Sequence, residues 1–300
     1  MLRRATVASA PAHRLVDATV TVLGPDRRPL ADADVTVEQT RHAFVFGNIG
    51  FDLIALANGE GQPGDDQLAA DWLDLFNTAT LPFYWAEFEP VRGRPRTEPL
   101  RRAAEWFAAR GVALKGHPLA WHSLAPDWLL PLATDEVEVA QRARIRREVT
   151  EFAGLIDTWD AINEVVIMPV FDKEENGLTR LARARGRIPT IRLAFEEARA
   201  ANPAATLLLN DFDLSSAYEC LIEGVLEAGT RKPSCDALHA LVKGEWWLPP
   251  TTLRTDASGR VSVAGFAGDY EVLTGGAATT FALAPGAEAS VTVTLEPARG

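Results

Sequence analysis

Glu164 closes the run Trp159-Asp160-Ala161-Ile162-Asn163-Glu164, a stretch of strand length that turns abruptly from apolar residues to an amide and a carboxyl. That pair suits general acid/base chemistry at a glycosidic bond. The acid passes a proton to the bridging oxygen, and Asn163 holds a neighbouring sugar hydroxyl. A bare Asn-Glu pair reads better as a cap on the following segment, and it is Trp159 and Asp160 ahead of it at a strand end that favour chemistry. A second constellation is Gly116-His117-Pro118-Leu119-Ala120-Trp121-His122-Ser123. His117 can donate to a hydroxyl and Trp121 offers a flat apolar face for a pyranose ring. Alone, the two would read as a satisfied core histidine and a packing tryptophan. Asn210-Asp211-Phe212 ends another strand-length run, with Asp211 suited to orienting a neighbour.

These residues need elements to carry them. Apolar runs of strand length lie at Ala43–Phe46, Ala79–Trp85, Val112–Gly116, Thr158–Asn163 and Thr206–Asn210, each ending in polar or aromatic residues. Helical spacing separates them. Leu68, Trp72, Leu75 and Phe76 share a face behind Asp65 and Asp66. Leu100, Ala103 and Phe107 follow, stopped by Gly111. Ile145, Val149 and Phe152 mark a third helix, Ile191, Phe195 and Ala198 a fourth, and Tyr218, Leu221, Ile222 and Val225 a fifth. A last helix starts at Pro233-Ser234, with Leu238, Leu241 and Val242. Strands alternating with helices predict parallel βα architecture, in which the carboxyl ends of the strands build the site. Five strands are legible, where a closed barrel needs eight.

The two ends of the chain differ. Residues 15–48 and those from about 244 onward alternate apolar and polar residues between Gly- and Pro-rich turns, as in Arg260–Ala264 and Ala289–Leu295. These zones predict a small β-sandwich, with no cluster of chemically useful residues in either.

The 300 residues, 47% of them hydrophobic and 24% charged, fit one large domain with or without a smaller companion. A net charge of -11 argues against nucleic acid, whose phosphates require a basic face. No apolar run is long enough to span a bilayer, and two cysteines are too few for a disulfide framework. The default compartment is the cytoplasm, with secretion left open should the N-terminus be incomplete. The five histidines show no metal spacing. Gly59-Glu60-Gly61-Gln62-Pro63-Gly64 matches a dinucleotide fingerprint in form only, since it opens no βαβ unit. The Trp246-Trp247 pair reads as packing at a domain junction.

Taken together and in this order, Phe76-Asn77-x-x-Thr80, Glu87-Phe88-Glu89-Pro90, the Gly116–Ser123 segment, Trp159–Glu164 and Asn210-Asp211-Phe212 resemble glycoside hydrolase family 10. The resemblance implies a retaining enzyme of xylanase type acting on β-1,4-linked sugars, without a cofactor or metal. It makes Glu164 the general acid/base and places Asn163, His117, Trp121 and Trp85 at the substrate, supported by Asp160, Asn210 and Asp211. The expected partner is a β-1,4-linked oligo- or polysaccharide. The expected fold is α/β, an incomplete TIM-type (β/α) barrel with about five of eight strands and a small flanking β-sandwich formed by the terminal zones. Domains are expected at 1–42, 43–243 and 244–300.

The chain departs from the family in three ways. The family's nucleophile, a glutamate ending the seventh strand, has no counterpart, because the segment after Gly229 leads directly into Lys232-Pro233-Ser234, which resembles the family's last helix. Cys235–Ala240 as a sixth strand is the competing reading. Leu81-Pro82-Phe83-Tyr84-Trp85 lacks the polar residues usual at the second strand, and Leu124 stands where the family carries Gln. Three readings follow: a glycosidase with impaired turnover, a carbohydrate-binding pseudoenzyme, or a non-functional deletion product. An opened barrel would also expose sheet edges and favour self-association.

Overall fold

In chain order the strands are β1 (Arg4–Thr6), β2 (Val16–Leu23), β3 (Asp34–His42), β4 (Gly47–Ile49), β5 (Thr78–Pro82), β6 (Ala113–His117), β7 (Thr158–Asn163), β8 (Thr206–Asn210), β9 (Leu226–Glu227), β10 (Thr230–Arg231), β11 (Thr251–Arg254), β12 (Arg260–Gly265), β13 (Gly268–Thr274), β14 (Ala277–Leu283), β15 (Ser290–Thr294) and β16 (Glu296–Pro297). The helices are α1 (Ile54–Ala57), α2 (Asp65–Leu75), α3 (Trp85–Phe88), α4 (Thr97–Ala108), α5 (Thr134–Glu151), α6 (Gly177–Arg185), α7 (Arg187–Ala201) and α8 (Pro233–His239). This computed structural model describes residues 4–7, 12–211, 226–227, 230–231, 233–285 and 290–297. The chain forms two units, Phe46–Thr230 and the pair of segments Met1–Val45 and Arg231–Gly300.

The second unit is a β-sandwich that interleaves both ends of the chain. One sheet has the order β1-β12-β2-β15 and the other β11-β3-β13-β14-β16. Strict alternation in β2 and β3 buries Val20, Val22, Val35 and Val37 between the sheets, together with Val261, Val263, Tyr270 and Val272. The segment at 233–239 is the helix α8, which rules out the strand reading of Cys235–Ala240. It falls in this unit rather than with the βα elements.

The βα unit contains one parallel sheet of order β4-β5-β6-β7-β8. Among the described residues it has five strands and does not close, which is the incomplete barrel expected. β7 is buried on both faces, as parallel strands covered by helices are. Trp159, Phe83, Phe107 and Phe152 fill the space between sheet and helices. Among the described residues no helix is long and apolar enough to cross a membrane.

Several elements differ from the sequence reading: the short helix α1 is an addition, and the run Ala79–Trp85 is strand only over Thr78–Pro82 before the chain turns into α3 at Trp85. The first strand is Gly47–Ile49, not Ala43–Phe46. Asn77 brackets Phe46, its side-chain oxygen accepting the Phe46 N–H while its own N–H reaches the Phe46 carbonyl, so sheet pairing starts only at Gly47↔Thr78. Phe44 and Val45 lie exposed. Helix α6 is a further addition, capped by Asn176, whose side-chain oxygen accepts the Thr179 N–H at 2.7 Å. The helix expected on Tyr218, Leu221, Ile222 and Val225 lies outside the described residues.

β6 and β7 pair at Lys115↔Thr158 and Gly116↔Trp159 only. The indole of Trp159 lies where a side chain on residue 116 would stand, an ideal Cβ there falling 2.2 Å from its ring. Gly116→Ala is therefore expected to cost about 1–3 kcal/mol, as overpacking of a filled core does. Urea unfolding checks this, and a variant with unchanged midpoint would contradict the packing.

Candidate active site

All five strands of the parallel sheet end on the same side, so the residues just past β5, β6, β7 and β8 are collected at one rim. β7 delivers Asp160, Asn163 and Glu164. β6 delivers Lys115 and His117 and, in the loop beyond, Trp121 and His122. The segment after β5 delivers Tyr84, and β8 delivers Asn210.

Asp160 is 1% exposed and binds two neighbours with one oxygen, accepting from Lys115 Nζ at 2.8 Å and meeting His117 Nδ1 at 2.6 Å. Burial by itself would raise its pKa. The hydrogen bonds from His117 and Lys115 outweigh burial and hold the carboxyl below its ordinary range. Lys115 and His117 are two apart in β6, so the pleat puts both on one face of the strand. The loop after β6 stays attached to β7 through Leu119 N–H to Asp160 O and Asn163 N–H to Ala120 O, both 2.9 Å.

Glu164 has a φ of 51°, an uncommon backbone conformation for a residue with a side chain. It is held there by its N–H donating to the Asn210 carbonyl at 2.9 Å. The Asn210 side-chain amide donates in turn to Asn163 Oδ1, also at 2.9 Å. The Glu164 carboxylate accepts from Trp121 Nε1 at 2.8 Å. Strain of about 1–3 kcal/mol retained at a partly open carboxylate marks a functional position more often than a structural one.

Around Glu164 lies an aromatic wall. Tyr84 meets His117 edge-on at 5.8 Å and Trp121 at 5.5 Å between ring centroids. Burial, then the charges of Glu87 and Glu164, push the Tyr84 phenol up, so it remains a donor at any ordinary pH. His122 is fully buried beneath this wall, 3.7 Å from the Glu164 carboxylate and 4.3 Å from the ring of Phe171. Among the described residues neither of its nitrogens has a hydrogen-bond partner.

The site thus gathers Glu164, Asn163, His117, Trp121, Asp160 and Asn210 from the sequence reading. Asp211 sits beside it, its carboxylate accepting the Val166 N–H at 3.1 Å and so fixing the chain just past Glu164. Trp85 is a correction. It is 3% exposed, its N–H donates to Glu89 at 3.0 Å, and the Arg144 guanidinium lies over its ring at 4.8 Å, leaving no face for a ligand. The chain turns into α3 at Trp85, so the preceding residue, Tyr84, points to the rim instead. Tyr84, Lys115 and His122 were not singled out from sequence. Only Lys115 had a usable signal, its two-residue spacing from His117. Among the described residues no group of three His, Cys, Asp or Glu side chains is arranged to hold a metal ion.

Burial pushes the His122 pKa down from 6.5 to about 4, with the charge of Asp211 opposing it. The unfolded chain therefore takes up this proton between about pH 6.5 and 4 while the folded chain refuses it, so His122 lowers stability as pH falls through that window. His122→Gln removes the effect. The melting temperature of the variant relative to the parent is expected to rise steadily from pH 7 to pH 4.5, measured by circular dichroism. A pH-independent difference would mean that His122 is solvated or paired.

The model of Glycosyl hydrolase family 10 matches residues 76–228. The chain is 26% identical over 169 residues to endo-1,4-beta-xylanase C of Paenibacillus barcinonensis, covering 47% of this chain and 15% of that one. It is 32% identical over 136 residues to endo-1,4-beta-xylanase 5 of Pyricularia oryzae, covering 44% and 32%. The chain spans well under two thirds of the length of these curated relatives. Among solved structures, the family 10 protein of P. barcinonensis aligns with a TM-score of 0.47 at 25% identity, over 57% of this chain and 51% of that one. Xylanase 10B of Thermotoga petrophila, solved with xylobiose, aligns with a TM-score of 0.46 at 22% identity, over 56% and 49%. Because the family model takes in just over half of its residues, the chain belongs to glycosyl hydrolase family 10.

Proposed function

We propose that the chain is a xylanase-type glycosidase by descent, with Glu164 as its general acid/base and a β-1,4-linked sugar chain as its ligand. The observation that carries this is the carboxylate at the end of β7, bound by the Trp121 indole at 2.8 Å and walled by Tyr84 and His117. In this reading His117 and Tyr84 donate to sugar hydroxyls and Trp121 covers an apolar sugar face. The Asn163 amide, oriented by Asn210, holds a hydroxyl next to the scissile bond. Glu164 then protonates the departing glycosidic oxygen.

Retention needs a second carboxylate about 5–5.5 Å away to attack the anomeric carbon. Of the neighbouring carboxyls, Asp160 is committed to Lys115 and His117, Glu89 to Trp85, Gly93 and Arg147, and Asp211 to Val166. Glu87 is exposed and is the remaining candidate among the described residues, Asp213 lying outside them. We therefore propose impaired turnover, with sugar binding as the residual activity. The same facts favour the carbohydrate-binding reading as the alternative.

Calorimetry with xylotetraose and reducing-end release from xylan test both points. The expected outcome is binding that weakens at least tenfold, about 1.4 kcal/mol, in Trp121→Ala, with little or no hydrolysis. Hydrolysis abolished by both Glu164→Gln and Glu87→Gln would overturn the claim of impairment. Absence of any binding would overturn the sugar site.

Self-association belongs to the same proposal. β4 and β8 are the edges of the parallel sheet among the described residues, and Leu208 and Leu209 on β8 are 38% and 49% exposed. Light scattering is expected to give a mass above that of the monomer, and a monodisperse monomer would refute this.

A further inference from the structure

Helix α5 buries a stripe of Val137, Gln141, Arg144, Ile145, Glu148 and Val149, so half of the stripe is polar. Arg144 is 2% exposed and Glu148 1%. A charge is taken out of water only where close partners compensate it. The Arg144 guanidinium donates to the carbonyls of Leu119 at 2.5 Å, Pro118 at 3.1 Å and Phe83. Gln141 adds a second donor to Leu119 O at 2.9 Å.

Those three carbonyls occupy a particular place. The ladder between β5 and β6 ends at Pro82↔His117, and its last backbone link is Phe83 N–H to His117 O. Phe83, Pro118 and Leu119 come just beyond, where the two strand ends part. Tyr84 follows Phe83 directly, His117 precedes Pro118, and Trp121 stands two residues after Leu119. One planar, five-donor group thus spans the gap between the two segments that carry the aromatic wall.

The group is packed against further charged and aromatic side chains. Glu148 lies 4.0 Å from Arg144 and accepts from Arg147 at 2.8 Å. Arg147 also donates to Glu89 at 2.7 Å, Glu89 accepts from the Trp85 indole, and the Trp85 ring stacks on Arg144. Two arginines and two glutamates close a circuit in which Arg144, Glu148 and Glu89 are buried and Arg147 is 32% exposed. Burial lowers the Arg144 pKa only to about 10, so it stays charged at neutral pH.

We propose that Arg144 is the positioning residue of this site, setting the ends of β5 and β6 in the one arrangement that brings Tyr84, His117 and Trp121 to Glu164. Its consequence for ligand affinity rests on the sugar-binding reading above; its geometric effect does not. A residue that only filled the core would lower stability without loosening the rim.

The test uses the full chain with 15N-labelled indoles and reads hydrogen exchange at the Trp121 N–H, assigned by its loss in Trp121→Phe. The Trp72 indole, bonded to Ile49 O, serves as internal reference. In Arg144→Met the Trp121 exchange is expected to accelerate at least tenfold relative to Trp72, and xylotetraose affinity to fall at least tenfold. Leu193→Ala, a cavity in α7 that also lowers the melting temperature, is expected to leave both within twofold. Parental exchange at Trp121 in Arg144→Met overturns the proposal. So does equal acceleration in Leu193→Ala. If the parent binds no xylotetraose, the sugar reading fails and the exchange rates still decide the role of Arg144. If Arg144→Met does not fold, Arg144→Lys carries the test, since a point charge cannot reach both strand ends. Its exchange is expected between parent and tenfold, and parental exchange there overturns the proposal.

Discussion

The rim of the parallel sheet depends on how closely β6 approaches β7 before the two strands part. They share two paired positions, and at the second of them Trp159 lies flat against Gly116. That contact seats the indole among Phe83 and Phe152 and turns its N–H to the Ile156 carbonyl. Past it the two segments stay linked through Leu119 N–H to Asp160 O and Asn163 N–H to Ala120 O, and the Asp160 carboxyl is bound by Lys115 and His117. A looser approach would expose a carboxylate that needs two donors to stay ionised in a buried place.

Two buried charge systems lie beneath the rim and solve the same problem differently. One Asp160 oxygen is bound by two side chains from a neighbouring strand, and these hold its carboxyl as the anion. Glu148 has Arg144 and Arg147 beside it, yet burial dominates and its pKa rises to about 7. The balance of the α5 circuit therefore shifts close to neutrality. Below that pH the protonated Glu148 leaves two arginines facing one glutamate. The folded state takes up this proton more readily than the unfolded one, so the stability Glu148 contributes is fully present below about pH 4.5 and is lost as pH rises through about 7.

What sequence revealed was whatever local pattern decides. β7 and β8 were legible residue for residue because an unbroken apolar run admits few alternatives. α4 and α7 were legible because their periodicity is undisturbed. β4 was misplaced by four residues because Asn77, thirty positions away, holds Phe46 out of the ladder. Glu164 and Asn163 could be named because a strand end announces itself. Trp85 was misjudged because its indole serves Glu89 and Arg144, and no local pattern couples those positions. Arg144 itself sat unnoticed in a helix recognised by Ile145, Val149 and Phe152. Its place on the buried stripe was computable, but its three carbonyl partners were not.

The geometry of Glu164 is complete within four neighbouring segments. Its backbone is fixed by Asn210 on β8, its carboxylate by Trp121 beyond β6, and its walls by residues after β5 and β6. Nothing in that arrangement calls on a strand beyond β8. In the proposed reading, the acid/base half of a retaining site is thus structurally separable from the half that carries the nucleophile. The first needs hydrogen bonds between adjacent strands, while the second needs a carboxylate brought in from across the barrel mouth. Under the proposed function, the five strands present among the described residues would hold the proton donor and the aromatic wall in place without the attacking group.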